Sequence, residues 1–412
     1  MRQAGRYMAA FRAYSDKYPF RVRSETPEIA VELSLQPWRA FRTDGVVFFS
    51  DILTPLPAFG IEFDVVKGLG PRIAEPVRDA ARVAALTALD HPEEQGLGFT
   101  GETLRALRAE LGGSAAAAAA GAGGAPALLG FVGSPWTLAA YAVEGKADKE
   151  CRQTKLMMAH APATLHALLE RLTLGLIEYA CYQAAAGAHA IQIFDSWAHH
   201  LTPAQFAEFS LPYANRVARA LQERHPGVPV IFHANGGTGK LHLLGGDGCA
   251  AGAVGLDWAV DMARARRELS GAGAGTGGGI GGGGGIGGGG GIGGGGFDGV
   301  GGGVGGGFGG GKAVQGNVDP MLLFAPEALL VAETERCLLA AGPRGHVLNV
   351  GHGVPQGAPE RGVALFCETA RASGELFARR AERAAQNGAV AAGGGAAGGG
   401  EGAREAAAVA AA

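Results

Sequence analysis

Several side chains in this sequence could grip or transform an anionic small molecule. Arg2 and Arg6 lie four residues apart around an Ala-Gly bend, so two guanidiniums could clamp carboxylates bidentately. On local sequence alone the favoured reading is two solvated arginines on a frayed chain terminus. Asp51 directly follows the apolar run Val46 to Phe49, which sets a carboxylate at the mouth of an apolar interior. That position costs free energy unless a cation or hydrogen-bond donors meet the charge; capping of the next helix through backbone N–H groups is the even alternative. Tyr141, Ser196 and His352 each offer a hydrogen bond. His352 sits between Gly351 and Gly353, small neighbours that let a ligand approach the backbone, although a loop carbonyl would satisfy the imidazole as well.

Other chemistries are excluded. Ser196 lacks the Gly-x-Ser-x-Gly elbow of an activated nucleophile. The Gly-rich tract contains many GxGxxG matches, but none stands between a strand and a helix, so none reads as a phosphate loop. Five cysteines, Cys151, Cys181, Cys249, Cys337 and Cys367, are odd in number and never spaced as CxxC, which indicates neither a disulfide framework nor a zinc ribbon. A formal charge of -3 argues against nucleic-acid binding by bulk electrostatics. No apolar run is long enough for a membrane span, and residues 1–25 lack a signal-peptide core.

The elements that must position these residues follow from the apolar pattern. Seven short apolar runs recur: Val46 to Phe49, Leu128 to Val132, Ala190 to Phe194, Val228 to Phe232, Ala253 to Leu256, Ala313 to Val318 and His346 to Val350. Continuous rather than alternating hydrophobicity predicts parallel strands covered on both faces, and helix-like stretches between them predict repeated βα units. Thr26-Pro27 and Thr202-Pro203 read as helix starts. Leu165, Leu168, Leu169, Leu172 and Leu176 form a core-facing helical stripe. Seven units are too many for most open sheets and one short of a barrel. With Met1 to Gly5 as the end of a first strand, the fold class is α/β, a single (β/α)8 barrel whose first strand is largely missing. In such a barrel the working residues stand at the carboxyl ends of the strands, where Arg2, Arg6, Asp51, Tyr141, Ser196 and His352 all fall. Asp195, His233, Asp257, Trp258 and Asn317 belong to the same set of positions.

Glycine sets the domain boundaries. Thirty of the 73 glycines fall between Gly271 and Gly311, so the excess is local and the collagen reading fails for want of a three-residue period. Residues 1–269 are expected to form the first part of a barrel, 270–312 a disordered insertion, 313–385 the last strands and helices, and 386–412 a disordered Ala/Gly-rich tail. Residues 112–125 read as a lengthened surface loop.

Taken in order, MRQAGRY (1–7), FSDIL (49–53), GFVGSPWTL (130–138) with Tyr141, QIFDSW (192–197), GLDW (255–258), QGNVDP (315–320) and LNVGHG (348–353) resemble the uroporphyrinogen decarboxylase family. The resemblance covers residues 1 to 380 apart from the insertion. SETPEIAVELSLQPWRAF (24–41) and LPAFGIEFDVVKG (56–68) look like the plant and algal form. The resemblance implies a single (β/α)8 barrel and a homodimer with facing clefts. It also implies decarboxylation of the four acetate side chains of uroporphyrinogen III to give coproporphyrinogen III, in heme and chlorophyll biosynthesis, with no metal or organic cofactor. It implies that Arg2 and Arg6 bind substrate carboxylates while Gln3, Ala4 and Gly5 supply close backbone approach. Asp51 would accept the pyrrole N–H groups beneath the macrocycle, and Tyr141, Ser196 and His352 would contact its carboxylates. Asp51, Arg2 and Tyr141 are the expected catalytic set.

Two alternatives remain beside that expectation. Cofactor methyltransferases of the same superfamily hold zinc through a His-x-Cys motif, whereas this sequence has His233-Ala-Asn235, too few soft ligands for zinc. A damaged or non-catalytic copy would account for the start at MRQAGRY, the Gly tract and His199 in place of an expected Gly. The plant and algal likeness implies a chloroplast protein with a transit peptide upstream of Met1; without that likeness the cytoplasm is expected.

Overall fold

The computed structural model describes residues 5–66, 69–113, 125–269 and 311–393. All seven apolar runs become strands of one parallel sheet. In chain order the strands are β1 (Gly45–Val47), β2 (Phe63–Val66), β3 (Gly70–Ile73), β4 (Ala127–Gly133), β5 (Ala190–Asp195), β6 (Val230–Ala234), β7 (Ala253–Gly255), β8 (Ala313–Val318) and β9 (His346–Val350). The sheet order is β1-β4-β5-β6-β7-β8-β9. Apolar residues stand side by side in register, Val46 with Leu128, Val132 with Ile193, Ile193 with Phe232, Val254 with Val314 and Val318 with Val350. Strands with both faces covered need no polar side, which is why each reads as a continuous run.

Helices between consecutive strands cover the outside. The helix Pro162–Ala185 turns all five predicted leucines inward, each with no exposed surface. Thr202 caps the helix Pro203–Phe209 with a full capping box, its Oγ1 accepting from Gln205 and the Gln205 side chain returning to the Thr202 N–H. Thr26 precedes Pro27 in the same way, but its side chain makes no cap hydrogen bond.

The ring of helices closes between its last and first members. Arg371 Nη1, on the helix Glu360–Arg371, donates to Phe41 O at 2.9 Å, at the end of the helix Pro27–Phe41. Near the same seam Glu360 Oε1 accepts the Ala9 N–H at 2.8 Å and Tyr7 packs on Phe41 with ring centroids 5.9 Å apart. The amino-terminal segment thus bridges the flanks of β1 and β9, the outer strands of the sheet among the described residues. Residues 1–4, where the end of an eighth barrel strand is expected, lie outside the described residues.

Two differences from the sequence reading concern peripheral elements. β2 and β3 form an antiparallel hairpin outside the main sheet, in a stretch that shows no strand signal. It is docked by Ile73 N–H to Gly145 O at 2.8 Å. At the carboxyl end the helix Ser373–Gly393 runs past the expected boundary at 385, so that part of the predicted tail is helical; residues 394–412 lie outside the described set. Most of the predicted 112–125 loop, residues 114–124, and the tract from 270 to 310 do so too. The flanks of the tract meet: Lys312 N–H donates to Leu269 O at 3.0 Å, and Lys312 Nζ reaches Cys249 O and Ala251 O at 2.7 and 3.0 Å. The flanking residues Leu269 and Lys312 therefore lie together at the amino end of β8, the barrel face opposite the strand carboxyl ends. All five cysteines are buried and free, and no helix of the described residues is long and apolar enough to cross a membrane.

Candidate active site

Inside the barrel, just below the carboxyl ends of the strands, aromatic side chains form a belt. Phe48 faces Phe131 at 5.2 Å, Phe131 meets Phe194 at 5.7 Å, and Phe194 meets the His233 ring at 6.1 Å. All four are buried. Beside this belt lie polar side chains. Gln192 on β5 and Gln315 on β8 exchange side-chain amide hydrogen bonds, at 2.8 and 3.2 Å, which satisfies two buried amides that would otherwise be costly. A small cavity lies against Gln192, Phe194, His233, Gln315, Asn349 and His352. Gly255 between β6 and β8 leaves the room: a Cβ there would lie 2.9 Å from His233 Nδ1 and 3.1 Å from Gln315 Oε1.

Asp51 stands on the loop after β1 and is half-buried. Its Oδ1 accepts the Leu53 N–H at 2.8 Å, and its own N–H donates to Thr54 Oγ1 at 3.2 Å. The local backbone use weighed from the sequence is therefore present, in a turn rather than a helix cap. The loop rests on β4, where a Cβ on Gly133 would lie 3.2 Å from Ile52 Cβ.

Tyr141 and Ser196 are brought together by the knit between β4 and β5. Ser134 Oγ and Thr137 Oγ1 donate to Asp195 Oδ1 at 2.7 and 2.8 Å, and Ser210 Oγ donates to Asp195 Oδ2. Burial pushes the Asp195 carboxyl above its usual range, while the three hydroxyls and the charge of Lys240 oppose that rise. Trp136 Nε1 donates to Trp197 O at 3.2 Å, and the Trp197 ring lies 4.7 Å from Tyr141. Ser196, between Asp195 and Trp197, is buried, and its Oγ has no hydrogen-bond partner among the described residues. Its carbonyl accepts from Asn235 Nδ2 at 3.4 Å and lies 3.0 Å from His199 Nδ1. Asn235 thus serves loop geometry at the position where the methyltransferase alternative needs a thiolate. Among the described residues no three His, Cys, Asp or Glu side chains gather as a metal-binding group.

His352 follows β9, lines the cavity and meets Trp258 edge to face at 5.7 Å. Arg6 is exposed, and its carbonyl, with that of Tyr7, is pinned by Arg12 Nη1 at 2.9 and 2.6 Å. Gly5 has φ +133°, and a Cβ there would collide with the Phe11 ring, so its missing side chain first serves packing. Arg2, Gln3 and Ala4 lie outside the described residues. Asp51, Ser196 and His352 thus occupy loops after β1, β5 and β9, and Tyr141 the second turn of the helix Pro135–Glu144 that follows β4, on one barrel face. Asp195 and Asp257, read as strand-end candidates, are instead buried braces; Asp257 accepts the Gly237 and Ala259 N–H groups at 2.7 and 2.9 Å. Apart from Ala259, their partners are distant in sequence, which left little local signal for that role.

Comparison with known proteins places the chain in a family. The family model described as uroporphyrinogen decarboxylase (URO-D) matches residues 1–373. A uroporphyrinogen decarboxylase of Crocosphaera subtropica is 42% identical over 379 residues, covering 92% of each chain. That of Hordeum vulgare is 41% identical over 372 residues, covering 90% of this chain and 96% of its own. A relative from Arabidopsis thaliana named uroporphyrinogen decarboxylase 2, chloroplastic, is 41% identical over 90% of this chain and 81% of its own. Among solved structures a methyltransferase from Methanosarcina mazei superposes with a TM-score of 0.63 at 16% identity, covering 87% of this chain and 89% of its own. That likeness shows a shared fold alone. With the family model spanning nine-tenths of the chain and relatives above 40% identity over the same length, the chain belongs to the uroporphyrinogen decarboxylase family.

Proposed function

We propose that this protein decarboxylates the acetate arms of uroporphyrinogen III, with Asp51 at the centre of the site. The observation that carries the reading is the placing of Asp51, Tyr141, Ser196 and His352 on one barrel face above an aromatic belt. The apolar faces of the four pyrroles, which are joined by saturated bridges, would lie toward Phe48, Phe131 and Phe194, with the carboxylates reaching the polar rim. The buried Ser196 Oγ has no partner among the described residues, at a cost of about 1–3 kcal/mol, and a substrate carboxylate would supply one. Arg2 and Arg6 are assigned to further carboxylates, with Gln3, Ala4 and Gly5 beside them.

The chemistry needs an electron sink. Protonation of a pyrrole ring carbon makes a cation; the bond from the arm's CH2 to the carboxylate then breaks, its electron pair enters the ring, and carbon dioxide leaves. A proton delivered to the resulting exocyclic carbon makes it a methyl group, and loss of the proton first added to the ring carbon restores the pyrrole. A fixed Asp51 carboxylate, held by Leu53 N–H in a loop seated on β4, would accept the pyrrole N–H groups and stabilise the developing cation. Preorganised terms of that kind contribute about 3–4 kcal/mol. Asp51→Asn keeps the Oδ1 acceptor and removes the charge. Coproporphyrinogen formation by purified protein should fall at least a hundredfold in that variant, with unchanged thermal unfolding; undiminished turnover would remove Asp51 from the mechanism.

The working form is proposed to be a homodimer with facing mouths, a reading favoured by exposed Met321 and Phe324 on the loop after β8. Light scattering should give about twice the 41.6 kDa of one chain, and a monomer at micromolar concentration would contradict it. The plant relatives favour a chloroplast location, which organelle fractionation with an antibody to this chain would test.

A further inference from the structure

Trp258 stands on the turn after β7 with 47% of its surface exposed, whereas Trp38, Trp136 and Trp197 are buried. An indole left in water forgoes the burial that makes tryptophan stabilising, so slack in the turn would let it fold away. The turn has no slack. Asp257 fixes it through the Gly237 and Ala259 N–H groups. Asn317 Nδ2 donates to Asp257 O at 2.8 Å and to Val260 O at 2.6 Å. From the far side Gly351 lets the β9 loop press against it, since a Cβ there would lie 2.7 Å from Trp258 Cα. The presented ring meets His352 edge to face, at 5.7 Å and 77°, and His352 lines the cavity below the mouth.

We propose, resting on the decarboxylase reading above, that Trp258 is a further substrate-contacting residue whose indole packs on the bound macrocycle beside His352. A pyrrole ring is flat and electron-rich, and an aromatic side chain held at a fixed angle recognises it through stacked or edge-on contact with little ordering cost. Such a contact acts on substrate and transition state alike, so it belongs to KM rather than kcat.

The test is a fluorescence titration of the whole protein with coproporphyrinogen III, the product, kept reduced under anaerobic conditions. Wild-type emission should move to shorter wavelength as ligand covers Trp258, and Trp258→Phe should lose most of that change. In turnover assays Trp258→Leu should raise KM about five- to tenfold with kcat within about twofold. An equal emission change in Trp258→Phe, or an unchanged KM in Trp258→Leu, overturns the proposal while leaving the decarboxylase reading in place. A shift that follows protein concentration and ignores the ligand also overturns it, by assigning the indole to contact between copies. Failure of the wild type to form any coproporphyrinogen removes the reading beneath both.

Discussion

Two carboxylates at the carboxyl ends of barrel strands, Asp51 after β1 and Asp195 at the end of β5, do opposite kinds of work. Asp195 has no exposed surface and accepts hydrogen bonds from three hydroxyls, whereas half-buried Asp51 uses one oxygen on its own loop. Asp195→Ala would leave Ser134, Thr137 and Ser210 with lost partners in a dry interior, and should cost about 3 kcal/mol or more in chemical denaturation. Asp51→Asn should leave that curve in place and remove turnover. A third residue gives a pH signature. Burial, together with the positive charges of His199 and Lys155 and against Asp148, lowers His200 from 6.5 to about 4. Between those values the unfolded chain binds a proton that the folded chain refuses, so stability is lost as pH falls from 6.5 towards 4. The fall in Tm from pH 7 to pH 5 should therefore be smaller in His200→Gln than in the wild type; an equal fall would show that His200 is already protonated in the fold.

The elements divide by how much of their environment is local. The inner strands β5, β6 and β8 are buried on both faces, so their own composition announces them, and the Leu165 to Leu176 stripe announces a helix in the same way. The β2–β3 hairpin escaped notice because its four-residue strands are part-exposed, with Asp64, Pro71 and Arg72 breaking the apolar pattern. Of the site, the positions of Asp51, Tyr141, Ser196 and His352 were legible because strand ends are. The bracing by Asp195, Asp257 and Asn317 was not, since most of its hydrogen bonds join residues 15 to 61 positions apart. Gly351 shows how one such contact governs an element. Gly351→Ala would push a methyl into the backbone of Trp258 and so displace the turn after β7. It should destabilise the protein by about 1–3 kcal/mol and disturb Trp258 emission without ligand; full stability with wild-type emission would mean that the turn can yield.

For the whole molecule, the opposite faces of the barrel separate the candidate site from the residues that flank the glycine tract, Leu269 and Lys312. The hydrogen bond from Lys312 N–H to Leu269 O places the flanks of the tract side by side at the amino end of β8. Replacing Gly271 to Gly311 by a short turn removes about three doublings of loop length, at about 0.6 kcal/mol each. Tm should rise by a few degrees and turnover should stay near the wild-type rate; a large loss of activity would tie the tract to the mouth. The central claim is that the face bearing Asp51 turns uroporphyrinogen into coproporphyrinogen. Its most direct test is anaerobic incubation of the purified protein with uroporphyrinogen III, reading the product by chromatography after oxidation to porphyrins. Wild-type protein should yield the four-carboxylate product and Asp51→Asn almost none. The account is contradicted if the wild type returns only eight-carboxylate starting material, or if both proteins form product equally.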